Sequence, residues 1–157
     1  MPLLAFAEPN KDIRLKVALS YNFAKFTHWP DSLANEAFTF CYFDKSFTEA
    51  FNQLKDKTVA KKQIKTRKLD HTDELNTCQV LYLSKNDQPV LIDSLEAMQN
   101  LPILTVSDTP DFFTSGGMIE FIVENNKMRF KVNNTRIKQV DLNLSSKVLK
   151  LALEVRN

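Results

Sequence analysis

The chain has 157 residues, of which 43% are hydrophobic and 25% charged, a composition typical of a folded domain rather than of a disordered chain or a coiled coil. Since 21 basic residues are nearly balanced by 19 acidic ones, the net charge of +2 does not indicate a nucleic-acid-binding protein. The only glycines, Gly116 and Gly117, are adjacent, which excludes the dinucleotide fingerprint, the P-loop and the nucleophile elbow.

The N-terminus resembles the end of an export signal, because apolar residues lead into Ala5-Phe6-Ala7, an Ala-x-Ala pattern. We therefore predict that residues 1–7 are the remaining end of a signal peptide and that residues 8–157 form one domain. A frayed apolar tail is the alternative. No run approaches the ~18 apolar residues that span a bilayer, so no membrane span is predicted.

The first predicted element is a helix over residues 11–28, which has apolar side chains on two faces. One face contains Ile13, Val17, Tyr21, Ala24 and His28. The other contains Leu15, Leu19, Phe23 and Phe26. A helix that is apolar on two sides is covered on two sides, so one face should meet a sheet and the other its own chain or a second molecule. The predicted partner or dimer surface consists of Leu15, Leu19, Tyr21, Phe23 and Trp29.

Strands and helices alternate along the remainder of the chain. The predicted elements are a strand at 38–43, a helix at 46–54 capped by Ser46, a strand at 79–83, a helix from Asn86 or Asp87 to Asn100, a strand at 102–106, a short helix from Thr109 to Gly116, a hairpin of strands 118–123 and 128–132, a helix at 133–140, an extended segment at 142–144 and a final helix capped by Ser145. This order predicts an α/β fold with one mixed sheet flanked by helices.

Polar residues follow three of the predicted strands. Ligands of open α/β sheets bind beyond the carboxyl ends of strands, so these residues form a candidate ligand crevice. Its members are Asp44, Ser46, Ser84, Ser107 and Asp108. Simple capping of the helices that follow is the favoured interpretation.

A basic stripe lies between residues 55 and 68. It contains seven basic residues and one acid, Asp56. Lysines protect sheet edges from aggregation, and no aromatic side chains are interleaved for nucleic-acid binding, so we favour a solvated sheet edge. Attraction to an acidic partner or to anionic lipid headgroups is an intermediate alternative.

Two cysteines, Cys41 and Cys78, both lie in strand-like segments. If those strands are neighbours, the thiols can form a disulfide, and otherwise two buried, reduced thiols are expected. With two histidines and two cysteines, neither HExxH nor CxxC is present, and no metal site is predicted. No nucleophile stands beside a base at a recognisable spacing, so no catalytic residues are assigned.

Several segments together resemble the YfiR-like family of small periplasmic proteins. They are YNFAKFTHWP (21–30), FC (40–41), CQVLYL (78–83), ILTVSD (103–108), GGMIEF (116–121), RFKVN (129–133) and LSSKVLKLA (144–152). Their order and spacing extend from about Asp12 to Leu153. One departure is at Ala60-Lys61-Lys62, where family members tend to have a glycine in a hairpin-like turn.

The resemblance implies an exported, cofactor-free and usually dimeric regulator that is not an enzyme. Its best-known members bind the periplasmic sensor domain of an inner-membrane diguanylate cyclase and repress it. Cys41 and Cys78 match a cysteine pair that is bridged in such members. We therefore expect a periplasmic repressor of cyclic-di-GMP synthesis. The alternatives are a periplasmic small-molecule-binding module that signals to another membrane partner and, less favoured, a hydrolase.

Overall fold

Ten strands of the computed structural model, which describes residues 9–30 and 37–157, form two sheets. The strands are β1 (Thr27–His28), β2 (Ala37–Tyr42), β3 (Thr58–Val59), β4 (Lys62–Lys68), β5 (Val80–Leu83), β6 (Leu104–Ser107), β7 (Ile119–Glu124), β8 (Lys127–Asn133), β9 (Asn143–Leu144) and β10 (Glu154–Arg156). The main sheet has the order β10-β8-β7-β6-β5-β2-β4-β3, and β1 pairs with β9 in a small antiparallel sheet.

The main sheet is mixed. Five central strands, β4, β2, β5, β6 and β7, run parallel, as does the pair β8 and β10. The hairpins β3–β4 and β7–β8 are antiparallel. Helices therefore connect most of the parallel strands, and the α/β fold predicted from the sequence is confirmed.

Five α-helices lie in the described part of the chain. They are α1 (Pro9–Lys25), α2 (Thr48–Asn52), α3 (Gln88–Ala97), α4 (Asn134–Gln139) and α5 (Ser146–Leu149). Short 3-10 turns at Lys45–Phe47 and Lys85–Asp87 lead into α2 and α3, and a third occupies Thr72–Thr77.

Alternation along the strands divides the buried side chains between two layers. In β2, Phe40 and Tyr42 enter a cluster that also contains buried residues of α1, α2, α4 and α5, and we call it the aromatic layer. Cys41, between them, enters a second cluster with Leu75 and with Leu91 of α3, which we call the disulfide layer. Successive side chains of a strand point to opposite faces, so the period of two in β2 places its residues in both layers.

Several element boundaries differ from the sequence prediction. The first helix ends at Lys25, and Thr27 and His28 form β1 instead. The segment opened by Thr109 is a series of turns, although Gly116 does adopt a positive φ of 102°. Asp44 rather than Ser46 caps the turn before α2, since its side chain accepts a hydrogen bond from the backbone N–H of Ser46. Residues 1–7 lie outside the described part of the chain.

Candidate functional site

An apolar stripe remains at the surface of α1. Val17 and Ala24 are buried in the aromatic layer, whereas Leu15 and Phe26 are 45% and 42% exposed. Leu19 lies between them on the same side and is half-buried. Leu15 and Leu19 lie about one turn apart on one side of α1, because 3.6 residues complete a turn. Phe26 directly follows the helix, and its backbone N–H donates to the carbonyl oxygen of Asn22 at 3.1 Å. We call Leu15, Leu19 and Phe26 the outer stripe.

Two residues of the predicted partner surface belong to the core instead. Phe23 is 2% exposed and its ring contacts that of Phe130 in a tilted arrangement, with 4.9 Å between ring centroids. Trp29 is 6% exposed, meets Phe38 edge-on at 4.9 Å, and donates from Nε1 to the carbonyl oxygen of Ala24 at 3.0 Å. The prediction is corrected for Phe23 and Trp29, because core packing removes them from contact with a partner.

Tyr21 connects α1 with the β3 edge of the sheet. Its half-buried ring lies between two cations, with Lys25 Nζ 5.3 Å and Lys57 Nζ 5.6 Å from the ring centroid. Its hydroxyl donates to the carbonyl oxygen of Thr58 at 3.5 Å. Tyr21 therefore lies away from the outer stripe and beside the basic stripe.

Three residues of the predicted crevice meet at the carboxyl ends of β2 and β5. Ser84 Oγ donates to Asp44 Oδ2 at 2.8 Å, and the backbone N–H of Ser46 donates to Asp44 Oδ1 at 2.9 Å. Asn86 Nδ2 also donates to Asp44 Oδ2, at 3.2 Å. Partial burial raises the pKa of the Asp44 carboxyl, but these hydrogen bonds outweigh burial and hold the pKa below its usual range.

The other two crevice residues lie at the end of β6. Ser107 Oγ accepts from the backbone N–H of Thr109 at 2.9 Å. Asp108 Oδ1 accepts from the backbone N–H of Lys85 at 2.7 Å, and Asp108 Oδ2 accepts from Lys16 Nζ at 2.6 Å. The predicted residues are thus brought to one edge of the sheet, and each already fills a hydrogen-bonding role in the fold.

Lys16 was missed by the sequence analysis. Its side chain is only 10% exposed and reaches from α1 to Asp108, with Asp12 2.9 Å away on the same helix. Burial lowers the pKa of the Lys16 ammonium, but hydrogen bonds and attraction to Asp108 and Asp12 outweigh burial and raise it. The sequence did offer a signal, because Lys16 lies among apolar positions of α1. A lysine that is buried by such a position needs a carboxylate as its partner.

A cleft opens beside this ion pair. It has a volume of about 340 Å³ and lies between the start of α1 and the β7–β8 hairpin. Its charged lining includes Lys16, Lys85, Asp108 and Glu120, and its apolar lining comes mainly from β7. The arrangement offers a small, amphipathic site at the carboxyl ends of the parallel strands, where open α/β sheets bind ligands.

The cysteines form a disulfide. Cys41 in β2 and Cys78 just before β5 have Cα atoms 5.9 Å apart because β2 and β5 are adjacent parallel strands. Cys41 is fully buried and Cys78 is 3% exposed, among leucines of the disulfide layer. The bond therefore lies beneath the surface, out of direct reach of a soluble thiol.

Two absences concern only residues 9–30 and 37–157. No three His, Cys, Asp or Glu side chains are placed there to hold a metal ion. No helix in these ranges is long and apolar enough to cross a membrane.

Comparison with protein families gives one match, which covers most of the described chain. The profile of the YfiR/HmsC-like family matches residues 13–153. A comparison with curated proteins gave no match. The YfiR-like family is known for periplasmic regulation of cyclic-di-GMP signalling, is regulatory and non-catalytic, and implies a membrane-bound sensor as partner.

Proposed function

The chain belongs to the YfiR/HmsC-like family, and from this membership we propose that it is a periplasmic protein that represses an inner-membrane diguanylate cyclase by binding the periplasmic sensor domain of that cyclase. The match over residues 13–153 is the observation that carries the proposal, since it includes nearly the whole domain. The protein acts by contact and has no catalytic role in this proposal.

The outer stripe supplies the contact surface. Leu15 and Phe26 keep 45% and 42% of their surface in solvent although they are large apolar side chains. Leu15 lies on α1, whose opposite side is buried, and Phe26 directly follows that helix. Exposed large apolar side chains that lie near one another often mark a protein interface. Because a second copy of the chain and the cyclase can each cover such a stripe, we propose that a homodimer uses or adjoins the same surface.

Cellular cyclic-di-GMP tests the regulatory proposal. A strain that lacks the protein should contain more cyclic-di-GMP than its parent, because the cyclase is no longer repressed. A copy with an intact export signal should restore the parental level, whereas a copy without the signal should not. An unchanged level in the deletion strain would contradict repression of a cyclase.

Two substitutions test the surface. Leu15→Asp and Phe26→Asp should leave the purified protein folded, as judged by its thermal unfolding, but fail to restore the parental cyclic-di-GMP level. Ile92→Asp is the matched control, since Ile92 is 58% exposed on α3, far along the chain from the outer stripe. Full complementation by Leu15→Asp and Phe26→Asp would exclude the outer stripe as the contact surface.

A periplasmic small-molecule-binding module that signals to another membrane partner is the second candidate. The cleft of about 340 Å³ beside Lys16 and Asp108 favours it, because charged and apolar groups line it together. A thermal-shift screen with nucleotides and aromatic metabolites should find a compound that raises the unfolding temperature. Lys85→Ala, which changes the lining, should abolish that shift, and a screen without any stabilising compound would count against this candidate.

A further inference from the structure

One edge of the main sheet is open along part of β4. Strand β4 pairs with β2 from Gln63 to Lys68, but β3 pairs only with Lys62 and Gln63 on the other side. Beyond these pairs, Ile64 still donates to the carbonyl oxygen of Lys57, but in the described part of the chain residues Thr66 to Lys68 have a neighbouring strand on one side only. We call this segment the open edge.

The backbone direction within β4 shows which groups face outward. The N–H of Leu69 donates to the carbonyl oxygen of Tyr42 in β2 at 2.8 Å. Successive residues of a strand point their N–H and C=O groups to opposite sides. The backbone groups of Arg67 therefore also point toward β2, and those of Thr66 and Lys68 point away from it. The N–H of Ile64 fits this alternation, since it donates outward to the carbonyl oxygen of Lys57 at 3.2 Å.

Thr66 and Lys68 thus each present one N–H and one C=O group at the open edge. Within residues 9–30 and 37–157, no backbone group pairs with them on this side. Unpaired groups in this alternating arrangement are a template for one more strand, which is how extended peptides add to the edges of sheets.

The charges beside the open edge select the kind of strand. Lys61 and Lys65 are exposed and form no ion pair within the described ranges. The Arg67 side chain forms an ion pair with Glu74 and donates a hydrogen bond to Thr77 Oγ1. Lys68 Nζ lies 2.9 Å from Asp70 Oδ1. The basic stripe therefore leaves an excess of positive charge where an added strand would lie.

We propose that the open edge of β4 binds an extended, acidic segment of a partner polypeptide as an added β-strand. A second copy of this edge is disfavoured because its lysines would lie opposite lysines. Anionic lipid headgroups could attract these positive charges, but a lipid surface offers no alternating backbone donors and acceptors. The inference is independent of the cyclase proposal, since it concerns the opposite edge of the sheet from β10 and none of its residues belong to the outer stripe.

A peptide probe tests the inference with the oxidised full chain. The probe is acetyl-Thr-Glu-Val-Glu-Val-Glu-Thr-amide, and its control has the same sequence with alternate backbone amides N-methylated. We expect the probe to bind and to slow hydrogen exchange at the N–H groups of Thr66 and Lys68. The N-methylated control should bind about tenfold or more weakly, because a few backbone hydrogen bonds account for such a difference.

Substitutions in the protein provide the complementary test. Thr66→Pro removes an N–H group that points outward. It leaves the hydrogen bonds to β2 in place, because the odd-numbered residues of β4 make them, and Pro is tolerated at sheet edges. Thr66→Val is its matched control, because both variants lose the hydrogen bond of Thr66 Oγ1 to Asn52 Oδ1 at 3.3 Å. We expect Thr66→Pro to weaken probe binding about tenfold and Thr66→Val to leave it unchanged.

Several results would overturn the inference. If the protein binds the probe and its N-methylated control equally, charge alone explains the binding. Tighter binding of the protein to vesicles of anionic phospholipid than to the probe would lead to the same conclusion. Self-association through β4, seen as protection of Thr66 and Lys68 that rises with protein concentration, would assign the edge to a second copy. Absence of probe binding would refute it directly. If Thr66→Pro fails to fold, the N-methylated control and the exchange data from the unmodified protein still decide.

Discussion

The two faces of the main sheet are covered by different means. Among the residues that the structure describes, the aromatic layer contains ten buried rings, each in contact with at least one other, including Phe23 of α1 and Phe51 of α2. The disulfide layer is smaller and mostly aliphatic, and α3 and the Thr72–Thr77 turn cover it. The difference teaches that one sheet can combine a face stabilised by large side chains with a face that a covalent bond holds together.

The largest expected effect comes from the aromatic layer. Phe23→Ala removes a ring that is 2% exposed and should lower the free energy of unfolding by about 4 kcal/mol, through lost burial and the cavity it leaves. Phe26→Ala, directly after the same helix, is the control, because Phe26 is 42% exposed and its loss should cost under about 1 kcal/mol. Urea unfolding of the two variants measures the difference, and equal losses would mean that α1 is not oriented as described.

Removal of the disulfide should lower the free energy of unfolding somewhat less than Phe23→Ala does. The bond joins cysteines 37 positions apart, and Cys41→Ala with Cys78→Ala should lower the free energy of unfolding by up to about 4 kcal/mol in the chain-entropy model. Since both sulfurs are buried, reduction of the native protein by dithiothreitol should be no faster than unfolding. Fast reduction under native conditions, followed by alkylation and intact mass, would instead indicate an accessible redox switch.

An intermediate effect is expected where α1 is attached to the end of β6. Lys16→Met leaves the carboxylate of Asp108, 10% exposed, without its cation and should cost about 3 kcal/mol at pH 7. Because the folded state raises the pKa of Lys16, the ion pair stabilises fully below the unfolded pKa near 10.4 and its contribution is lost as the pH rises through the folded value.

The check for Lys16 is the difference in unfolding free energy between the parent and Lys16→Met, measured at pH 7 and near pH 11. The difference should shrink at the higher pH. Lys147→Met, at an exposed position of α5, is the control and should change the stability little at pH 7. A constant difference across this range would argue against an ion pair at Lys16.

The smallest effect belongs to the polar network at the carboxyl ends of β2 and β5. Asp44→Asn removes a carboxylate that accepts from Ser46, Ser84 and Asn86, and should cost about 1 kcal/mol at pH 7. The lowered pKa of Asp44 means that its contribution is present above the unfolded pKa near 3.9 and is lost as the pH falls through the folded value. Parent and variant should therefore converge in stability in strong acid, and a gap that persists there would exclude the charge as its source.

Local features were predicted well because their causes lie within a few residues. The hairpin β7–β8 turns at Asn125 and Asn126, which have positive φ of 52° and 62°, as asparagines in such turns do. Ser145 caps the last helix by accepting from the backbone N–H of Lys147. Each of these depends on one residue type at one position, which the sequence displays.

Strand β4 was missed because its pattern is masked by charge. Only Ile64 is buried among its seven residues, so the alternation that marks a half-buried strand is absent. The turn before β4 lacks the glycine that such turns usually contain. Ala60 and Lys61 adopt positive φ of 51° and 67°, which a glycine would adopt without steric penalty. The basic stripe was interpreted as a sheet edge, and the structure places four of its seven basic residues on β4, beside the edge strand β3 at one side of the sheet.

By itself the sequence determined the α/β class, the alternation of strands and helices, the Ser145 cap and the β7–β8 hairpin, because hydrogen bonding within a turn and the periods of 2 and 3.6 are local properties. Tertiary structure alone decided that β2 lies between β4 and β5, which brings Cys41 to Cys78. It also decided that Phe23 of α1 is buried and that Phe26, directly after α1, is exposed. These outcomes depend on the pairing of strands distant in sequence and on the packing of a helix with two apolar sides, and both are settled by the total surface that the whole chain buries.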